Sequence, residues 1–111
     1  MSPALKNVLA VAGGIIIGGI VNLLLVSIGP TIIPLPPGID VMDPESLAAN
    51  ADALQAKHFI FPYLAHAGGT LVGAYIASRF SAIKPNVMAL IVGAFFLLGG
   101  IQAAQMIPAP T

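Results

Sequence analysis

An all-α membrane bundle is the fold class that this sequence predicts: three transmembrane helices, with a short amphipathic helix in the outer loop. Three observations carry that expectation. The chain has 111 residues, 58% of them hydrophobic and only 7% charged, whereas soluble domains run at about 45–50% apolar and about 25% charged. Three stretches reach the roughly 20 apolar residues that cross about 30 Å of hydrocarbon, and none contains Asp, Glu, Lys or Arg. Glycine and alanine recur in them at four-residue spacing, as close helix packing in lipid requires. The whole of 1–111 reads as one membrane domain.

The first span covers 8–28, and Asn22 is its only strongly polar interior residue. One lysine precedes an apolar stretch of about 20 residues, longer than the 7–15 residue core of a signal peptide, so the segment reads as a retained anchor. The outer loop, 29–57, divides in two. GPTIIPLPPG carries four prolines and predicts a stiff, extended exit from the membrane. MDPESLAANADALQ then offers Asp43 as N-cap, Pro44 at the first helical position and Glu45 in the first turn. With Leu47, Ala51 and Leu54 on one face, it predicts a short helix lying on the bundle or membrane surface. The second span covers 59–78 and the third 87–107, with Gln102 and Gln105 near the end of the third.

Basic residues near span ends set the orientation. Lys6 precedes the first span, and Arg79 and Lys84 lie in the link between the second and third. All four acids, Asp40, Asp43, Glu45 and Asp52, fall in the 29–57 loop with Lys57. This balance predicts a cytoplasmic N-terminus and 79–86 link, with the 29–57 loop and the C-terminus outside.

The segment KHFIFPYLAHAGGTLVGAYIASR, Lys57 to Arg79, sets a proline, a histidine and several glycines in an apolar span. Lipid tails are as apolar as leucine, so helices associate in a bilayer through close backbone contact across small residues. Ala65, Gly69, Gly73 and Ala77 form one four-spaced row, and Ala10, Gly14 and Gly18 another that leads to Asn22. The third span is weaker, with Ala89 and Gly93, Gly99 and Ala103, and Gly100 and Ala104. Pro62 lies near the start of its helix, where amide hydrogens lack intrahelical partners and a proline sacrifices little.

At 1.5 Å per residue, His66 lies about 10 Å from the outer end of its helix, Asn22 about 9 Å and Gln102 roughly 7 Å. Three helices thus set their polar interior side chains at one level, the outer third of the membrane, with Tyr63, Ser27 and Gln105 extending it toward water. Such a layer has three uses. It can fix helix register by interhelical hydrogen bonds. It can line a small-molecule or ion site built on His66, Asn22, Gln102 and Tyr63. His66 can also be an axial ligand for haem or chlorophyll, with Ala65, Ala67, Gly69 and Thr70 leaving room for a flat ring. His58 is about 12 Å along the axis and about 80° around it from His66, so the two cannot sandwich one iron. It reads as an interfacial residue beside Lys57.

Several function classes are excluded. A formal net charge of zero leaves no basic patch for nucleic acid, and with no cysteine there is no disulfide, thiol nucleophile or cysteine metal site. No carboxylate lies inside a span, which argues against proton-coupled transport through an intramembrane acid. Hydrolase, zinc-protease, P-loop and dinucleotide fingerprints are missing, and the acids of the loop do not match an EF-hand, so the chain does not read as an enzyme.

The strings PLPPGID (Pro34 to Asp40), ESL (Glu45 to Leu47), KHFIFPYLAH (Lys57 to His66), GTLVGA (Gly69 to Ala74) and PAP (Pro108 to Pro110) resemble a group of small, uncharacterised bacterial inner-membrane proteins. That resemblance implies the same multi-pass topology and the bacterial inner membrane as location. Members of the group carry a fourth helix after the PAP string, whereas this sequence stops at Thr111; the resemblance thus leads to the expectation of a bundle face left for a partner. The function expected is an accessory or structural subunit of a membrane assembly, bound to lipid and to other membrane subunits or to itself. Small-molecule or ion binding in the polar layer is the alternative, and pigment or haem binding through His66 a third.

Overall fold

The computed structural model describes residues 1–40 and 42–106, and their regular structure is all helical, with no strand among them. Helix α1 runs Pro3–Ile32, α2 Pro44–Ala49, α3 Ile60–Phe80 and α4 Pro85–Met106, with short 3-10 turns at Ala51–Ala53 and Ala56–Phe59. Three of these helices are long and apolar enough to cross a membrane. The last residue expected in the third span, Ile107, and the PAP string lie outside the described residues.

Helix α1 starts where Ser2 caps it, its side chain accepting the Leu5 N–H at 3.1 Å, with Pro3 in the first turn. Its far end corrects the sequence expectation. GPTI is the last turn of α1, not an extended exit, and the extended backbone begins at Ile33. Pro30 is accommodated because only its own missing N–H is lost. Ser27 Oγ donates to the Leu23 carbonyl at 2.8 Å, Thr31 Oγ1 to that of Ile28 at 2.6 Å, and the Ile33 N–H closes on Gly29 O at 2.8 Å. The prolines after it do lie in irregular backbone, which turns at Gly38, where φ is +89°.

Helix α2 begins as its sequence predicts, with the Asp43 carboxylate accepting the Glu45 N–H at 3.0 Å and Pro44 first in the helix. It is shorter than expected. The Asn50 N–H and Nδ2 both turn back on Ser46 O, at 3.1 and 2.8 Å, and the helix stops at Ala49. Leu47 and Leu54 therefore do not share one helical face, although Leu54 is buried. The loop is folded on itself, since the Asp40 N–H donates to Ser46 Oγ at 3.0 Å. His58 Nδ1 accepts the Gln55 N–H at 2.8 Å, so this histidine caps the turn that leads into α3.

The buried faces of α1 and α3 are built from small residues, and the exterior of the bundle from large ones. Ala10, Gly14, Gly18 and Gly29 are the buried residues of α1, and Ala65, Gly69, Gly73 and Ala77 those of α3. Leu71 and Leu90 are each 72% exposed, and leucines, isoleucines and phenylalanines cover the outer faces of all three long helices. A bundle surrounded by lipid requires this inversion, since burying a large apolar side chain gains nothing there while backbone contact does.

Helices α1 and α3 make the most extensive contact, α3 and α4 the next, and α1 meets α4 least. The antiparallel α1–α3 pair brings the two small rows together, Gly14 against the backbone of Gly73 and Gly18 against that of Gly69. At one end Phe61 lies against Gly29, where a Cβ would come within 2.7 Å of Phe61 Cβ. Helix α4 packs differently from the expectation. A Cβ at Gly93 or Gly99 would meet nothing within 4 Å, so neither glycine is in the interface. Instead Val92 and Phe96 are buried, and they fill the hollow above Gly73 and Gly18. Large residues of α4 thus enter the space that the small rows leave.

The link between α3 and α4 is held by a residue of α1. The Ala82 and Ile83 N–H groups donate to Asn7 Oδ1 at 2.7 and 3.3 Å, and Asn7 Nδ2 donates to Ile83 O at 3.1 Å. Lys84, at φ +51°, then turns the chain into α4, its carbonyl accepting the Val87 and Met88 N–H groups.

Candidate functional cleft

The four residues singled out by depth, Asn22, Tyr63, His66 and Gln102, line one open cleft of about 890 Å³ between α1, α3 and α4. Each helix contributes for a local reason. In α1, Asn22 continues the small row by one four-residue step, so it stands at the edge of the α1–α3 seam. Its Cβ is 3.1 Å from where a Cβ on Gly69 would be. In α3, His66 follows the buried Ala65 and is therefore turned off the α1 face toward α4. Its ring meets Phe96 edge to face at a centroid separation of 6.1 Å. In α4, Gly100 gives the imidazole its seat, since a Cβ there would lie 2.9 Å from His66 Nε2. Gln102 is exposed two residues further on.

Tyr63 and His66 also border a second, smaller hollow of about 400 Å³ on the opposite side of the α3–α4 seam. The histidine is thus the partition between two recesses, half-buried and held by aromatic contact.

None of Asn22, Tyr63, His66 and Gln102 makes a side-chain hydrogen bond among the described residues. The neighbouring hydroxyls are satisfied locally, Ser27 on Leu23 O and Thr70 on His66 O at 2.7 Å. Asn22 and His66 share the cleft without bonding to each other. No direct hydrogen bond among the described residues links these polar side chains across the helices.

No family model matches the chain, and neither a curated protein nor a solved structure matches it.

The geometry also bears on metal and pigment. No group of three or more His, Asp or Glu stands close enough to hold an ion among the described residues. His66, the axial-ligand candidate, stands with Nε2 beside Gly100 of α4 and its ring edge to face with Phe96.

Sequence reasoning missed four structural residues: Asn7, Gly29, Phe96 and the partner of Gly29, Phe61. Asn7 had a signal. It is one residue beyond Lys6, on the same side of the chain as the link that it clasps. Phe96 stands eight residues after Met88 and four after Val92, a helical spacing of large residues that a search for small ones overlooks.

Proposed function

We propose that this chain is a multi-pass integral membrane protein that holds a small molecule in the cleft lined by Asn22, Tyr63, His66 and Gln102. One observation carries the reading. Four polar side chains from three helices line one recess, and none has a hydrogen-bond partner among the described residues. In hydrocarbon such groups are costly unless something satisfies them, and a cleft of about 890 Å³ is within the size range of small-molecule sites. The charge balance supports an N-terminus and 81–84 link on the cytoplasmic side of a bacterial inner membrane, with the cleft in the outer leaflet. The reading assigns binding and no catalysis.

A stability measurement tests it. Protein extracted with its own lipids should melt at a higher temperature than the same protein stripped and returned to synthetic lipid, because a ligand stabilises only the folded state. The difference should vanish in Gly99→Leu, since Gly99 borders the cleft with nothing within 4 Å of its Cβ position. Equal melting in all cases would remove the ligand.

A second reading, an accessory or structural subunit, is supported by a different surface. Gly14, Gly18, Gly69 and Gly73 pack against one another inside the chain. Gly13 and Gly19 of α1 and Gly93 of α4 have open space at their Cβ positions, and small residues there admit close approach by another helix. Cross-linking through these positions in native membranes tests this second reading.

A further inference from the structure

We infer that the ligand of the cleft is an uncharged, lipid-soluble molecule with an oxygen-bearing planar ring, of the quinone or quinol class. This rests on the binding reading above and goes on to name the chemistry. Four features of the lining define it.

The first is charge. Among the described residues no Asp, Glu, Lys or Arg lines the cleft, so none of them neutralises a phosphate, carboxylate or ammonium group there. An ionic headgroup would be left unpaired in a low-dielectric site, which is costly. The second is hydrogen bonding. The Asn22 and Gln102 amides, the Tyr63 hydroxyl and the His66 imidazole offer both donors and acceptors from three helices. That set suits carbonyl or hydroxyl oxygens at more than one edge of a ligand, not a single polar tip.

The third feature is aromatic. Phe59, Phe95 and Phe96 border the same recess. Phe96 is engaged edge to face with both His66 and Phe95, the latter at 5.5 Å and 90°. Phe59, and Phe95 through its exposed side, are placed to contact a planar ring by the stacked or edge-on geometries that aromatic pairs prefer. A glycerol-headed lipid would use the amides but gain nothing from the rings. The fourth is access. The wall residues Tyr63 and Leu98 are 74% and 67% exposed on the sides of their helices. The mouth therefore faces the lipid, and a ligand enters by partitioning into the bilayer and not from water.

The test uses the whole chain in bilayer nanodiscs of zwitterionic lipid. A decyl-substituted benzoquinone is titrated in one arm and monooleoylglycerol, uncharged and hydroxylated but ringless, in the other. Saturable binding of the quinone is expected, weakened at least tenfold in Gln102→Leu and in Gly99→Leu. Neither substitution touches the packed interior, since Gln102 is exposed and Gly99 has open space, so both variants keep the fold. Leu90→Ala, on an exposed face outside the cleft, should bind as the parent does. If monooleoylglycerol binds, with the same dependence on Gln102 and Gly99, and the quinone does not, the ring assignment is overturned while the cleft remains a binding site. If neither probe binds saturably, or if Gly99→Leu binds the quinone unchanged, the inference and the binding reading beneath it both fall.

Discussion

Gly18 and Gly69 meet backbone to backbone. A Cβ on Gly18 would lie 2.5 Å from the Gly69 carbonyl oxygen, and one on Gly69 2.6 Å from that of Gly18. The approach is reciprocal, so neither helix can accept even a methyl group without moving away from the other. Everything above this crossing depends on it, because Phe96 fills the space beside Gly18 and His66 leans on Phe96.

Gly69→Ala should therefore destabilise the bundle by about 1–3 kcal/mol, the usual cost of overpacking. Gly93→Ala, with nothing within 4 Å of its Cβ, should be neutral or stabilise by up to about 1 kcal/mol through helix propensity. Reversible unfolding in mixed detergent micelles measures both. Equal effects at the two positions would mean that the small rows are not the interface.

The link at the other end gives a pair of opposite predictions. Asn7→Ala removes three hydrogen bonds to Ala82 and Ile83. Because the site is partly exposed, the loss should be modest, about 1 kcal/mol. Lys84→Gly should instead raise stability by about 1 kcal/mol, because φ +51° is strained for a residue with a Cβ. A melting temperature that falls for the first variant and rises for the second is the expected result.

His66 and Gly100 should show compensation. Gly100→Ala places a methyl group against the imidazole and should loosen α4 by about 1 kcal/mol. With His66→Ala in the background the same change should cost little, giving a coupling of at least 0.5 kcal/mol, about the lower bound for residues in contact. Strict additivity would place the imidazole elsewhere.

The proposed orientation is checked by single cysteines in a chain that has none of its own. Cysteine at Asp43 or Asp52 should react with a membrane-impermeant maleimide in intact cells, and cysteine at Ala82 only after permeabilisation. The reverse pattern would invert the topology and move the cleft to the cytoplasmic leaflet.

Much of this molecule can be read from its sequence, and the limits are physical. Span positions follow from length and hydropathy alone, and they come within a few residues of α1, α3 and α4. The end of α1 escapes because Pro30 looks like a stop but costs little in a last turn whose hydroxyls bond back to the helix. The common depth of Asn22, His66 and Gln102 follows from helical rise. Their facing does not, because it depends on which side of α4 meets α3. That side is chosen by Val92 and Phe96, large residues that complement glycines on other helices. The Asn7 clasp depends likewise on a pairing across some 75 residues of chain, which no local pattern encodes.

Native mass spectrometry of the protein released from mild detergent tests the cleft most directly. The cleft reading predicts a bound mass, a few hundred daltons in the size range of ligands that such a volume holds, retained by the parent chain and by Leu90→Ala. It should be lost from Gly99→Leu, whose side chain projects from the lining of the recess. A parent chain that carries no adduct, or an adduct that survives Gly99→Leu unchanged, would contradict it.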